Sequence, residues 1–552
     1  MWWRDVLVCS FLVGVVRCNR NFPPGFKFGA ATAAYQVEGA WNTSDKSESI
    51  WDVFTHNHPD AIIDGSNGDL ACDSYHHWKW DVEIASELGL HFYRFSISWT
   101  RLLPNGFSNN ISEDGKKYYS DLIDALLAKG IEPVVTLYHW DLPQSLQKLG
   151  GWANPLIVDW FARYARVAYH LYADRVKTWI TLNEPVIYCE VNYAAGMHAP
   201  GILSPGIGGY LCGRHSVLAH AKAWRIYDEE FKPKYQGKVS LTNQLMWFEP
   251  ENEDEKESAD LTQQFWAGIY THPIFSEEGG WPPALEKKIA EKSEQEGYAV
   301  SRLPPFTPEE KQFVRGTYDF FGFNFYTART TRKAKEGEKF GLLTSAPDIG
   351  VQFSVRPHWK RGATRWFFVY PAALRLQLSW VKQQYGDVDI FILENGIAGY
   401  DTDLNDIDRV NFYKDHLEQV LLSINEDGVK ISRYTAWTMI DNFEWSDGYR
   451  SKFGLYEVDF EDPMRTRRPR ASAHYYANVI KAHSLDVDPN NKFTDELYFV
   501  LINTSHGPDK IAKFVLQTDL TGIFQSYLSR PLQKEERPIT VQPPEGAPSV
   551  FV

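Results

Sequence analysis

"KTWITLNEPVIY", residues 177–188, runs an apolar strand directly into a strand-ending proline. Thr178 to Leu182 is β-branched and apolar, the composition of a buried strand. Asn183, Glu184 and Pro185 follow at once. A prolyl ring fixes φ and removes a backbone donor, so the strand has to stop there. The residue before a proline is also biased toward extended geometry. The stretch therefore predicts Glu184 in extended backbone at a strand tip. Taken alone, such a tripeptide reads as a solvated loop acid. The rest of the chain changes that reading.

Seven other apolar runs end in polar or reactive groups in the same way. "FKFGAATAAYQVEG" ends at Gln36 and Glu38, "LHFYRFSISW" carries Arg94, and "EPVVTLYHW" ends at His139. "KVSLTNQ" ends at Asn243, "DFFGFNFYT" at Asn324 and Tyr326, and "DIFILENG" at Glu394 and Asn395. "RYTAWTMIDNFEW" carries Trp437 and ends at Glu444 and Trp445. Between these runs lie stretches such as "KYYSDLIDALLAKG" (117–130) and "NPLIVDWFARYARVAYHLYADR" (154–175). Their apolar residues recur at spacings of three and four, the period of a helix. Eight strand–helix units predict an α/β chain closed into one (β/α)8 TIM barrel, in which reactive groups gather at the C-terminal strand ends. An open α/β sheet gives no reason for all eight ends to be polar.

The composition fits that reading. The chain has 552 residues, of which 43% are hydrophobic, enough for a large core. Its net charge of −14 argues against nucleic acid or an anionic membrane as partner. No segment after the N-terminus approaches a membrane span. At the N-terminus, Arg4 precedes an apolar run from Val6 to Val16, which predicts a signal peptide over 1–18. A barrel domain over 19–485 and a C-terminal extension over 486–552 of unread role complete the expected organisation. Sequons at Asn42, Asn110 and Asn503 agree with a secreted protein, extracellular or in a secretory or lysosomal lumen. After cleavage Cys72, Cys189 and Cys212 remain, allowing at most one internal disulfide whose pairing stays open.

Glu184 ends the fourth run and Glu394 the seventh. Two carboxylates facing each other in one barrel mouth suit cleavage of a glycosidic bond. One must carry a proton for the leaving oxygen, and the other must be ionised to attack the anomeric carbon. Unequal burial and mutual repulsion push their pKa values apart. Paired carboxylates can also bind a metal, but no histidine lies at ligand spacing beside either, so none is expected.

The chain resembles glycoside hydrolase family 1, the β-glucosidase family, over roughly residues 22–483. "FKFGAATAAYQVEGA" matches its N-terminal signature, "TLNEP" its acid/base motif and "FILENGIA" its nucleophile motif. "YRFSISW", "YHWDLP", "GFNFYT" and "DNFEW" match as well, in the family's order. "GIGGYLCGRHSVLAHAKAW" looks most like insect members. The resemblance implies a cofactor-free, retaining β-glycosidase for small β-glycosides or oligosaccharides, acting on β-glucosides with β-galactosides or β-fucosides as further substrates. It implies Glu184 as acid/base and Glu394 as nucleophile, with Arg94 and Tyr326 contacting the nucleophile. Gln36, His139, Asn183, Trp437, Glu444 and Trp445 resemble the family's sugar-binding set. Asn324 supports that set, and Trp366 resembles its leaving-group platform. "VYPAALR", after Trp366, departs from the many members with a glycine soon after the proline. Two other readings stay open: a thioglucosidase on the same fold, and a sugar-binding or receptor-like protein without turnover.

Overall fold

Alternating strand and helix signals close into a ring. The computed structural model describes residues 20–489 apart from 342, 344 and 400–402, together with strand segments 496–500, 512–518 and 524–528. The barrel strands are β1 (Lys27–Ala31), β2 (Phe92–Ser96), β3 (Glu132–Tyr138), β4 (Thr178–Asn183), β5 (Lys238–Pro250), β6 (Phe321–Lys333), β7 (Ile390–Asn395) and β8 (Ile431–Trp437). Each pairs in parallel with the next. β8 returns to β1 in a register running from Lys27↔Arg433 to Ala31↔Trp437, which closes the barrel. The helical spacings at 117–130 and 154–175 become helices Glu113–Ala128 and Ile157–Tyr172. The first is capped by the Ser112 hydroxyl, which accepts from Gly115 N at 3.0 Å, and carries Glu113 and Asp114 in its positive first turn.

The lower interior is filled by Phe92, Val134, Ile180, Phe320, Phe391 and Leu393. Phe320 stacks on Phe391 with centroids 4.1 Å apart. Arg433 lies over Phe391 at 4.6 Å and over Phe92 at 5.2 Å, and its Nη2 meets Glu132 at 3.0 Å. Glu132 also receives Lys27 Nζ at 2.7 Å and the Thr178 hydroxyl at 2.7 Å. These groups sit at the starts of β1, β3, β4 and β8, so the floor is sealed and the opposite end carries the opening.

The structure departs from the sequence reading in several places. β5 and β6 run 13 residues each, well past the expected ends at Asn243 and Tyr326. Their upper halves pair from Trp247↔Ala328 to Pro250↔Thr331, and Val351–Ser354 adds antiparallel to β6. Each strand supplies the other's ladder above the barrel, so neither needs to stop at the rim. Gln36 lies on a one-turn helix, Ala34–Val37, rather than at the strand end. Glu38 is engaged elsewhere, by Arg101 at 2.8 Å and the Tyr119 hydroxyl at 2.7 Å.

Cys189 and Cys212 form a disulfide, and Cys72 is a buried thiol. Asn42 and Asn110 are exposed in loops. The segment 1–18 and Asn503 lie outside the described residues. Among the described residues no helix is long and apolar enough to cross a membrane. Beyond 489, Glu496–Val500, Ala512–Thr518 and Phe524–Leu528 form a three-stranded antiparallel sheet.

Candidate active site

Glu184 overturns the expectation of extended backbone. Its φ is 52° and its ψ 61°, in the left-handed region. Pro185 then opens the short helix Pro185–Ile187, where its missing donor costs nothing. A non-glycine residue held there stores about 1–3 kcal/mol. Local bonds offset it: Glu184 N donates to Thr242 O at 2.8 Å, Ile187 N to Glu184 O at 2.9 Å, and Val186 N to Asn243 Oδ1 at 3.2 Å. The chain turns sharply out of β4, and the Glu184 carboxylate accepts from Asn324 Nδ2 at 2.7 Å, from β6.

Glu394, in β7, has a different environment. Arg94 Nη1 from β2 donates to its Oε1 at 2.7 Å, and the Tyr326 hydroxyl donates to its Oε2 at 2.6 Å. Arg94 is anchored on all sides, to Leu393 O at 2.9 Å, Asn183 Oδ1 at 2.7 Å and Thr136 Oγ1 at 3.1 Å. Asn183 Oδ1 accepts a second bond from Asn324 Nδ2 at 3.2 Å. Two donors on that oxygen fix the amide's orientation, so Asn183 Nδ2 donates to His139 Nε2 at 3.0 Å. Burial, then the Arg94 charge, hold the His139 pKa well below the usual range. His139 is therefore neutral, with its proton on Nδ1.

These surroundings separate the two carboxyls. Burial, then the charge of Glu394, push Glu184 well above the ordinary carboxylate range; Asn324 and Arg94 oppose this. Burial lifts Glu394 too, but Arg94, Tyr326 and Asn324 all pull against it. The shared proton sits on Glu184, and Glu394 is the ionised partner.

A polar corner and an aromatic wall adjoin the pair. Gln36 Nε2 donates to Phe443 O at 2.9 Å, Asn442 Oδ1 at 3.0 Å and Glu444 Oε2 at 3.3 Å. Gln36 Oε1 is buried without a protein partner, an acceptor left for a ligand. Burial, then Asp447 and Glu394, raise Glu444 well above its usual range. His139 stacks against Trp437 at 5.6 Å and Trp445 at 5.9 Å, and Trp140 packs on Trp445 at 4.4 Å. The cavity above has a volume of about 520 Å³. Both glutamates, Glu444, Tyr326 and the two tryptophans line its inner part.

A family model described as Glycosyl hydrolase family 1 matches residues 18–485. The chain belongs to that family. It is 43% identical to Myrosinase 1 of Brevicoryne brassicae over 465 residues, 83% of this chain and 98% of that relative. It is 41% identical to the cytosolic beta-glucosidase of Homo sapiens over 469 residues, 84% of this chain and 99% of that one. A solved structure of a rice Os3BGlu6 beta-glucosidase mutant, in a covalent complex with Glc, superposes with a TM-score of 0.77 at 38% identity, covering 83% of this chain and 98% of the other.

In this family 1 hydrolase the outer cavity wall is made by the extensions of β5 and β6. Gln244, Met246 and Phe248 alternate along β5 and line it with Trp266, whose Nε1 donates to Gln244 Oε1 at 2.5 Å. The sequence reading passed over all four. The alternation Gln244–Met246–Phe248 was the available signal, since period-two patterning past the expected strand end marks one face of a longer strand. Trp266 carries no such signal. Trp366 is 40% exposed and stands edge-on to Tyr326 with centroids 5.8 Å apart, on the same outer wall.

Proposed function

We propose that this family 1 hydrolase cleaves terminal β-glucosides with retention of configuration, with β-galactosides and β-fucosides as further substrates. The observation that carries the reading is the asymmetry of the glutamates: Arg94 and Tyr326 both donate to Glu394, whereas Glu184 has Asn324. Glu394 attacks the anomeric carbon while the Glu184 proton passes to the leaving oxygen. A glycosyl ester forms and the C–O bond breaks. The Glu394 charge vanishes with esterification, so the second-largest influence raising Glu184 disappears. Glu184 then becomes acidic enough to remain ionised and takes a proton from water, which attacks the ester on the other face. Neutral His139, Asn183 Nδ2, Gln36 Oε1 and Glu444 are offered to sugar hydroxyls, and Trp437 covers the apolar face of the ring. A nitrophenyl β-glucoside followed by NMR tests the reading: β-glucose should appear first, and α-glucose first would refute it. A thioglucoside is the second reading, favoured by the 43% identity to Myrosinase 1. Running a thioglucoside in the same assay separates the two.

The reading extends to export. An apolar run from Val6 to Val16, exposed Asn42 and Asn110, and a disulfide between Cys189 and Cys212 support a signal peptide over 1–18, a hydrolase domain over 19–485, an extension over 486–552, and a glycosylated secreted product. N-terminal sequencing of protein from a secretory cell should begin near Asn19. Intact Met1 with bare sequons would contradict it.

A further inference from the structure

Behind the sugar corner lies a second, much smaller cavity of about 10 Å³, room for a single water molecule. Tyr35, Glu38, Lys46, Asp52, Arg101 and Asp141 are among its walls. Most of their polar atoms are matched. Arg101 Nε donates to Glu38 Oε2 at 2.8 Å, and Nη2 to Gly39 O at 2.9 Å. Asp52 Oδ2 accepts from Ser49 N at 2.7 Å and from Lys46 Nζ at 3.1 Å. Four atoms are left over. Arg101 Nη1, Asp52 Oδ1 and both carboxyl oxygens of Asp141 are buried with no hydrogen-bond partner among the described residues. Asp141 is 2% exposed, Arg101 1% and Asp52 0%. A molecule that both accepts and donates fits this set, taking the Arg101 N–H and giving its two protons to Asp52 and Asp141. Water does so, whereas a bare cation would meet the guanidinium and an anion would meet the carboxyl groups.

The position of Asp141 in the chain connects this cavity to the sugar. His139, Trp140 and Asp141 follow directly on β3, and Trp140 has a φ of 76°, in the left-handed region. A side chain stays in that conformation only where its surroundings hold it. On one side of the turn they do: Trp140 Nε1 donates to Asn183 O at 2.9 Å, and His139 Nε2 accepts from Asn183 Nδ2 at 3.0 Å. On the other side Asp141 faces the small cavity. The opposite wall also belongs to the sugar corner, since Tyr35 precedes Gln36 on the helix Ala34–Val37 and stacks on Trp445 with centroids 6.3 Å apart. Burial, then the charge of Glu38, push the Asp141 carboxyl up to about 7, against Lys46 and Ser98, so a neutral side chain is tolerated there. We propose that Asp141 is a positioning residue for His139: through one buried water shared with Arg101 and Asp52 it holds the turn at Trp140, and with it the imidazole offered to the sugar. Asp141 touches no substrate. The inference rests on the glycosidase reading above.

The test is a double-mutant cycle between Asp141 and His139, read with a dinitrophenyl β-glucoside. Asp141→Leu puts methyl groups where the two oxygens stand. Asp141→Asn keeps an acceptor and adds a donor, so the water keeps its partners. Asp141→Leu should lower kcat/KM about tenfold, the worth of one hydrogen bond, and Asp141→Asn should stay within a few-fold of wild type. In a His139→Ala background Asp141→Leu should cost about twofold at most, because the group it positions is gone. A merely structural role would cost the same tenfold in both backgrounds, which would overturn the proposal. A loss in Asp141→Asn as large as in Asp141→Leu would assign the effect to charge and overturn it too. If the wild-type enzyme cleaves no glucoside, the glycosidase reading itself fails and takes the proposal with it. A measurement that needs no variant guards against misfolding of Asp141→Leu. A high-resolution crystal structure of the wild-type enzyme should show one ordered water within hydrogen-bond distance of Arg101 Nη1, Asp52 Oδ1 and Asp141. A dry cavity, a metal ion at coordination distance or a direct contact between Arg101 and Asp141 would overturn the assignment.

Discussion

Each end of the barrel buries an arginine against a glutamate, and the two ends use the pair in opposite ways. At the lower end two cations, Arg433 and Lys27, and the Thr178 hydroxyl serve one carboxylate, Glu132. Burial works to raise that carboxyl, but Arg433, Lys27 and Thr178 outweigh it and hold Glu132 below its ordinary range. At the upper end one cation, Arg94, stands among Glu394, Glu184 and Glu444, and its direct ion pair is with Glu394. Burial first, and the surplus negative charge second, keep a proton on Glu184. The ratio of cations to carboxylates, rather than burial alone, separates an end that closes the barrel from one that moves protons.

The largest expected effect breaks the upper end. Glu394→Ala should bring turnover of every glucoside below detection, because no ester can form. Glu184→Ala should lose about 10²–10⁴-fold on alkyl glucosides, which need proton donation, and far less on the first turnover of a dinitrophenyl glucoside. Glu132→Gln should leave kcat/KM within a few-fold. Steady-state and burst kinetics on the three variants check the division. Equal losses in all three would dissolve the contrast between the ends.

A second test strikes the lower end. Arg433→Met leaves Glu132 with Lys27 and the Thr178 hydroxyl and strips the cation from two phenyl rings. It should cost about 3 kcal/mol of stability in denaturant titration, the scale of a broken buried ion pair, with kcat/KM nearly unchanged. A large loss of activity without loss of stability would assign the lower end a role in chemistry.

The smallest effects sharpen the comparison through pH. The folded pKa of Glu184 lies above its unfolded value of about 4.3, so its contribution to stability is full below that value and is lost as pH rises through the folded pKa. Glu184→Gln should therefore melt higher than wild type at neutral pH, with the advantage vanishing in acid. Glu132 has the opposite sign. Its folded pKa is depressed, so its contribution is present above about 4.3 and is lost as pH falls through the folded pKa. Glu132→Gln should melt lower at neutral pH, with the deficit shrinking in acid. Melting curves between pH 4 and 8 read both differences, and the same sign for both variants would break the account.

The ring of eight strands was legible because barrel strands are buried on both faces and read as continuous apolar runs. Glu184 and Glu394 were legible because each interrupts such a run at its end. The elbow at Glu184 was not. The proline argument concerns local sterics, whereas the bonds to Thr242 and Asn243 come from the neighbouring strand and hold the residue at a φ of 52°. The upper reaches of β5 and β6 were missed for a related reason. Polar Asn243 and Gln244 look like a strand's end until their pairing with β6 is seen. The Cys189–Cys212 pairing likewise follows from a helix returning beside the elbow, which three cysteine positions do not specify.

The division of labour between the two glutamates is tested most directly by azide trapping. Glu184→Ala, given a dinitrophenyl β-glucoside and azide, should regain rate and release β-glucosyl azide. The ester on Glu394 still forms, and azide attacks it without needing a base. Glu394→Ala should instead yield the α-azide by direct attack from the vacated side. NMR distinguishes the anomers. The β-azide from Glu184→Ala with the α-azide from Glu394→Ala is the result this account predicts; the reverse assignment, or wild-type turnover in both variants, would contradict it.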